Sequence, residues 1–140
     1  MTTAKSADPK PTPPTPTGVV PHLALGDANA AIEFYTRAFG AEVLAKMPAE
    51  DGKRLMHSHL LINKGALFVM DVFPEHGHKV ETPQGFVLHL QVDDADKWFN
   101  RAVEAGATAV MPCALQFWGD RYGQVKDPYG VLWSIGGPNR

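Results

Sequence analysis

Two hydrophobic periodicities alternate along this chain in a fixed order, and the order occurs twice. Val19 to Leu25 alternates apolar and polar and predicts a strand. Gly26-Asp27 interrupts it, with Asp27 placed as an N-cap. Ile32, Tyr35 and Phe39 then recur at helical spacing, which predicts a helix over 28–39 that Gly40 ends. Strands are predicted over Glu42 to Met47, Leu55 to Ile62 and Ala66 to Val72, the last two joined by a tight turn at Asn63-Lys64-Gly65. Pro74 to Gln84 carries Gly, two Pro and charges and reads as a linker. The order then restarts: a strand over Phe86 to Val92, a helix capped by Asp94 and running to about Ala105, and a stop at Gly106. Strands follow over Thr108 to Met111, Tyr122 to Lys126 and Val131 to Ile135, the last two flanking the turn Asp127-Pro128-Tyr129-Gly130.

The repetition extends to the residues. His22-Leu23-Ala24-Leu25 returns as His89-Leu90-Gln91-Val92, Tyr35-Thr36-Arg37-Ala38 as Phe99-Asn100-Arg101-Ala102, Gly40-Ala41 as Gly106-Ala107, and Gly65-Ala66-Leu67-Phe68 as Gly130-Val131-Leu132-Trp133, at offsets of 67, 64, 66 and 65 residues. Two copies at so long a period are not a solenoid. They predict an α+β domain of two βαβββ units, about 19–73 and 86–136, joined by a linker over 74–85, with the domain spanning 19–140.

Composition narrows what such a domain can do. The chain has 140 residues, 44% of them apolar, enough for a real core. A formal net charge of −2 offers nothing to phosphate backbones, so nucleic acid is not an expected partner. No stretch approaches the roughly 20 apolar residues that span a bilayer, so no membrane association is expected. Residues 1–18 hold Pro9, Pro11, Pro13, Pro14 and Pro16 among small polar residues and contain no apolar signal-peptide core; a disordered Pro-rich tail is expected. The single Cys113 excludes an intramolecular disulfide and suits a reducing compartment. A cytoplasmic protein is the resulting expectation.

The segments Ala31-Ile32-Glu33-Phe34-Tyr35, Ala38-Phe39-Gly40-Ala41-Glu42, Phe117-Trp118-Gly119-Asp120-Arg121-Tyr122-Gly123 and Asp127-Pro128-Tyr129-Gly130, set in two βαβββ units, resemble the vicinal oxygen chelate superfamily. That group includes glyoxalase I, extradiol dioxygenases, fosfomycin-resistance and bleomycin-binding proteins, and within it the likeness is to the PhnB-like branch. The resemblance runs from Val19 to about Ile135. It implies a glyoxalase-like cup of curled sheet with helices outside, a small-molecule ligand in the cup, and a homodimer.

Alternation then sorts side chains between the helix side and the cup. Phe86, Leu88, Leu90 and Val92 are expected under a helix, which leaves Val87, His89 and Gln91 in the cup. Likewise Val19, Leu23 and Leu25 are expected under the first helix, with Val20, His22 and Ala24 in the cup. His57 and His59 face the cup if Leu60 and Ile62 face the helix, and Tyr122 and Gln124 are their counterparts. In the fourth strand Leu67, Val69 and Asp71 are expected in the cup and Ala66, Phe68 and Met70 outside it. In the last strand Leu132 and Ser134 are expected to face in. Phe117 and Trp118 stand near the cup mouth, where aromatics stack on flat ligands or anchor the loop. The ligand-binding set is therefore His22, His57, His59, Asp71, His89, Phe117, Trp118, Tyr122 and Gln124. Asp120-Arg121 reads as a solvated or structural pair, Asp127 as turn chemistry, and Cys113 as an inert thiol.

Metalloenzymes of the resembled superfamily hold a divalent metal with His or Glu from the first, fourth, fifth and eighth strands. Those positions map to Val20, Val69, Val87 and Ser134, which are not metal ligands, so no cofactor is expected. Two residues further along the same faces stand His22, Asp71, His89 and Gly136, so a displaced divalent-metal site of two His and one Asp is the alternative. A binding protein for an aromatic or hydrophobic small molecule is the leading functional reading. The other is an enzyme, either metal-dependent through the displaced site or using a cup histidine for isomerase- or lyase-type proton transfer. A structural module without a ligand has no positive support. The methyltransferase label some PhnB-like proteins carry finds no Gly-rich strand-to-helix loop here.

Overall fold

The computed structural model describes residues 15–140. Of the predicted tail, residues 1–14 lie outside the described residues.

Ten main elements follow in the expected order: β1 (His22–Leu25), α1 (Ala28–Phe39), β2 (Glu42–Pro48), β3 (Leu55–Ile62), β4 (Gly65–Asp71), β5 (Leu88–Gln91), α2 (Ala95–Ala105), β6 (Thr108–Leu115), β7 (Asp120–Lys126) and β8 (Leu132–Pro138). A short 3₁₀ turn over Pro74–His76 sits in the linker. Each unit forms one four-stranded mixed sheet, in the orders β1-β4-β3-β2 and β5-β8-β7-β6. β1 runs parallel to β4 and β5 parallel to β8; the remaining pairs are antiparallel. Two βαβββ units in an α+β domain are thus established.

The helices form where local chemistry closes them. Asp27 accepts from Ala30 N at 3.0 Å, and Asp94 from Lys97 N at 3.2 Å, so each helix begins on an aspartate cap. α1 ends at Gly40, whose left-handed φ of 65° lets its N–H reach back to Thr36 O. The buried face of α1 carries Ile32, Phe34, Tyr35 and Phe39; that of α2 carries Phe99 and Ala102. These meet Leu23, Leu25, Leu60, Ile62, Leu67 and Val69 from the first sheet and Leu90, Val125, Trp133 and Ile135 from the second, in one continuous core. Each large side chain so buried contributes about 1.5–3 kcal/mol.

The two units are held together through their helices, which pack on each other. The repeated arginines make this join reciprocal. Arg101 donates from Nε to Arg37 O at 2.9 Å, in the last turn of α1, and Arg37 donates to Ala105 O at 2.9 Å, in the last turn of α2. Each cation therefore stands at the negative end of the other helix. Tyr35 and Phe39 of α1 also pack against Trp133 of β8, edge-on and tilted, with ring centroids 5.5 and 4.7 Å from that of the tryptophan. The helices cover one face of each sheet, and the opposite faces are left open.

Several predicted boundaries shift. β1 begins at His22 rather than Val19, and Val19 is 98% exposed rather than under the helix; Gly18 at a φ of 78° and Pro21, which lacks an N–H, keep the earlier residues out of the ladder. β5 likewise begins at Leu88, so Phe86 is exposed. β6 runs four residues beyond Met111, through Pro112 to Leu115. It is an edge strand, bulged between Met111 and Ala114, where a proline's missing donor is tolerated. Among the described residues, no helix is long and apolar enough to cross a membrane.

Candidate functional site: two open sheet faces

Cross-strand pairing assigns the faces independently of any repeat. Asn63 and Lys64, at φ 47° and 74°, form a two-residue turn between β3 and β4. Ile62 then lies opposite Gly65, Leu60 opposite Leu67, and His59 opposite Phe68. Directly paired residues share a face. Leu60 is fully buried against the helices, so Leu67 and Val69 lie there too, while His59 and Phe68 share the open face. Parallel pairing of His22 with Phe68 and Ala24 with Met70 places both residues of β1 on that open face.

This overturns the expected phase of the fourth strand. Leu67, Val69 and Asp71 point to the helices, and Ala66, Phe68 and Met70 to the open side. Asp71 in particular is 3% exposed and accepts from Ala28 N at 2.9 Å and Leu55 N at 2.6 Å. It ties the start of α1 to the start of β3 and is not a ligand-binding residue of the open face. The displaced site of His22, Asp71 and His89 is therefore not assembled, because its carboxylate stands on the far side of the sheet. Among the described residues, no three His, Cys, Asp or Glu side chains converge as a metal centre. The fourth-strand position expected at Val69 is corrected to Phe68, the partner of His22. Val20, Phe68 and Val87 offer no donor atom, and the Ser134 hydroxyl is bonded to His89. The residues at the superfamily's usual metal positions thus do not fit a metal, and no chemical step is assigned through one.

On the first sheet, the open face gathers His22, His57 and His59 around Phe68. Their ring centroids lie 5.8, 4.8 and 5.1 Å from that of Phe68, all edge-on. His22 and His57 are 6.3 Å apart. Phe68 was missed as a site residue, although the two-residue turn alone would have placed it beside His59. His59 is 6% exposed, and its Nε2 is buried with no hydrogen-bond partner among the described residues.

The second sheet's open face is built differently. His89 is bonded on both ring nitrogens, Nδ1 to Ser134 Oγ at 2.7 Å and Nε2 to Gln91 Oε1 at 2.9 Å. Its ring stacks on Tyr122 at 6.0 Å, and the Tyr122 hydroxyl accepts from Gln124 Nε2 at 3.1 Å. Trp118 packs edge-on to Tyr122 at 5.6 Å while half of it remains exposed; Phe117 touches Trp118 and is 97% exposed. A side chain at Gly136 would press on the His89 ring, so the glycine leaves that ring its place. His89, Tyr122, Gln124 and Trp118 thus meet in one cluster, and His22, His57 and His59 in another, on separate sheets.

Two residues, Arg121 after the FWGD loop and Cys113 of β6, face the helix side instead. Arg121 reaches Asp96 of α2, with NH2 3.1 Å from Oδ1 and Nε 2.6 Å from Oδ2 but off the hydrogen-bond direction. That guanidinium holds the Asp96 carboxyl below the usual range. Burial and the neighbouring Asp96 push the Cys113 thiol up to about 11, which leaves it protonated and unreactive near neutral pH. The pair at Asp120-Arg121 is structural on its Arg side, as expected.

The comparisons agree with this geometry. The model of the Glyoxalase/Bleomycin resistance protein/Dioxygenase superfamily matches residues 19–135. An uncharacterized protein of Mycobacterium bovis, Mb0911c, is 45% identical over 126 residues, covering 86% of this chain and 82% of its own. The crystal structure of TioX from Micromonospora sp. ML1 superposes with a TM-score of 0.69 at 28% identity, covering 89% of this chain and 98% of that one. The PhnB protein of Bacillus cereus shares the fold, with a TM-score of 0.67 at 18% identity over 86% of this chain and 96% of that one. With its doubled βαβββ units and this match across nearly all the described residues, the chain belongs to the glyoxalase/bleomycin resistance protein/dioxygenase superfamily.

Proposed function

We propose that this protein is a PhnB-like small-molecule binder, and that its binding site is a cup completed between two copies of the chain. One observation carries the reading: two sheet faces dense in aromatic and imidazole groups are left uncovered. No strand of the first sheet packs extensively on a strand of the second. Each face keeps large apolar side chains in the open, Met47 at 54% on the first and Val87, Met111 and Trp118 at 42, 39 and 50% on the second. Such surface on a small domain marks a ligand or protein contact. In a symmetric dimer the first sheet of one copy faces the second sheet of its partner, which makes two equivalent cups. Each cup then contains His22, His57, His59 and Phe68 on one wall and His89, Tyr122, Gln124 and Trp118 on the other. A flat, largely apolar molecule suits these walls, with imidazole and amide groups to orient it.

Two measurements test the proposal. Light scattering on the purified chain is expected to give twice the chain mass, and Tyr122→Arg to give a monomer that remains folded by circular dichroism; a monomeric wild type removes the shared cup. A thermal-shift screen of planar aromatic molecules is expected to yield stabilising compounds at micromolar concentration, since a ligand at 100 times its Kd adds about 2.7 kcal/mol. An empty screen removes the binding reading.

A further inference from the structure

The β6–β7 hairpin ends in a tip that nothing among the described residues covers. Gln116 N donates to Asp120 O at 2.8 Å and Gly119 N to Gln116 O at 3.0 Å, and the Gln116 side chain donates to Ala114 O at 3.1 Å. Gly119, at a φ of 98°, permits so tight a return. The stiff tip holds Phe117 97% exposed, with Trp118 edge-on beside it. An aromatic ring held in water on a rigid turn has the profile of an interface anchor, because it loses little conformational freedom on contact.

The same chain carries a matching hole. A cleft of about 380 Å³ lies on the open face of the first sheet, walled by Val20, Leu44, Leu61 and Ala66. A cavity of about 150 Å³ takes a benzene ring, so the cleft has room for the Phe117 ring and part of Trp118. The charges match as well. Asp120 follows the tip directly, Lys64 lines the cleft, and neither has an ion-pair partner among the described residues. No Asp or Glu lines the cleft to repel Asp120. So does position: Asn63, next to Lys64, donates to Gln91 O at 2.9 Å, and Gln91 pairs with Gly136, which pairs with Tyr122 of the hairpin. Tip and cleft thus stand at one end of the molecule, yet within one chain they do not meet, since Phe117 is in solvent. We infer that the Phe117-Trp118 tip of each copy seats in the first-sheet cleft of a second copy, with Asp120 of one beside Lys64 of the other. A single two-fold axis satisfies both contacts at once. The inference rests on the shared-cup reading above and adds to it the contact that joins the two copies.

The test is analytical ultracentrifugation of the whole chain over a concentration series. Wild type is expected to form a closed dimer. Phe117→Ser, at a position in solvent, is expected to keep the circular dichroism of the fold and to raise the dimer dissociation constant at least about thirtyfold, the effect of losing an anchor residue. Lys64→Asp, which tolerates the left-handed turn, and Asp120→Lys are each expected to raise it about twofold to fivefold. The double variant is expected to return to within about twofold of wild type, because the pair is restored with its signs exchanged. A wild-type dimer that Phe117→Ser leaves intact, or a charge exchange without recovery, overturns the inference and leaves the shared cup standing. Open-ended assembly of wild type into larger species overturns the closed contact. A monomeric wild type overturns both readings.

Discussion

At the scale of single residues, the buried acids have structural tasks. Asp127 is 4% exposed and accepts four hydrogen bonds: Tyr35 Oη at 2.6 Å, Trp133 Nε1 at 3.0 Å, and the backbone of Tyr129 and Val131, each at 2.9 Å. It welds α1 to the last turn and last strand of the other unit. Removing a charged acceptor costs about 1.5–3 kcal/mol per buried bond lost, with incomplete additivity. Asp127→Ala is therefore expected to lower unfolding free energy by at least about 3 kcal/mol in urea titrations, and Asp71→Ala by about 2–3 kcal/mol. Burial first, then the Asp127 charge, raises the Tyr35 hydroxyl well above its ordinary value near 10. The folded state thus holds this proton more tightly than the unfolded chain does. The resulting stability is intact below pH 10 and declines as pH rises above it. Cys113, raised to about 11, adds a decline of the same sign between about pH 9 and 11. Urea midpoints measured from pH 9 to 11 are expected to fall less steeply in Tyr35→Phe than in wild type.

At the scale of elements, the paired strands show what alternation could and could not reveal. In β1, β3, β5 and β8 a row of apolar residues on one face identifies the helix side, and β7 follows as the counterpart of β3, so His22, His57, His59, His89, Tyr122 and Gln124 are legible as open-face residues from the sequence. β4 was not legible this way, because Ala66, Phe68 and Met70 are as apolar as Leu67 and Val69. The repeat, which matches Gly65 to Gly130, then sets the expected phase. The repeat misleads at that point. His59 pairs with Phe68, and its counterpart Gln124 pairs with Ser134, so the offset is 65 residues on one strand and 66 on the next. The second turn carries one extra residue, and one residue of slip moves every side chain to the other face. Asp71 and Phe68 exchanged roles for that reason. The linker is tied down by an element-scale contact that sequence spacing did not show. Arg54, at the start of β3, binds Asp51 at 2.7 Å and Glu75 of the 3₁₀ turn at 2.6 Å. Hydrogen bonds from the Lys53 backbone and the Arg54 side chain lower Asp51 to about 2, and those from Arg54 lower Glu75 to about 2. Both acids favour the folded state above the unfolded value near 4, and that preference is lost as pH falls toward 2. Carboxyl NMR titration is expected to find both near 2 and, in Arg54→Ala, to find Glu75 back near 4.

At the scale of the whole molecule, duplication gives each unit one covered face and one open face, and reciprocal helix contacts fix the two units to each other. Arg37→Ala and Arg101→Ala are each expected to cost about 1 kcal/mol, and the double variant to depart from the sum, since Arg101 bonds the Arg37 carbonyl and the two stand in one contact between the helix C-termini. What covers the open faces is not legible in one chain's alternation, because alternation reports which face a residue takes and not what lies opposite it. The chain's six histidines separate the possibilities. His22, His57, His59 and His89 lie on the two open faces, while His76 and His78 lie in the linker. The decisive measurement is the imidazole NMR spectrum recorded while a planar aromatic ligand found by thermal shift is titrated in. A shared cup predicts that His22, His57, His59 and His89 shift together at one saturating stoichiometry, with His76 and His78 unmoved. Shifts confined to His76 and His78, or to the histidines of a single sheet, would contradict it.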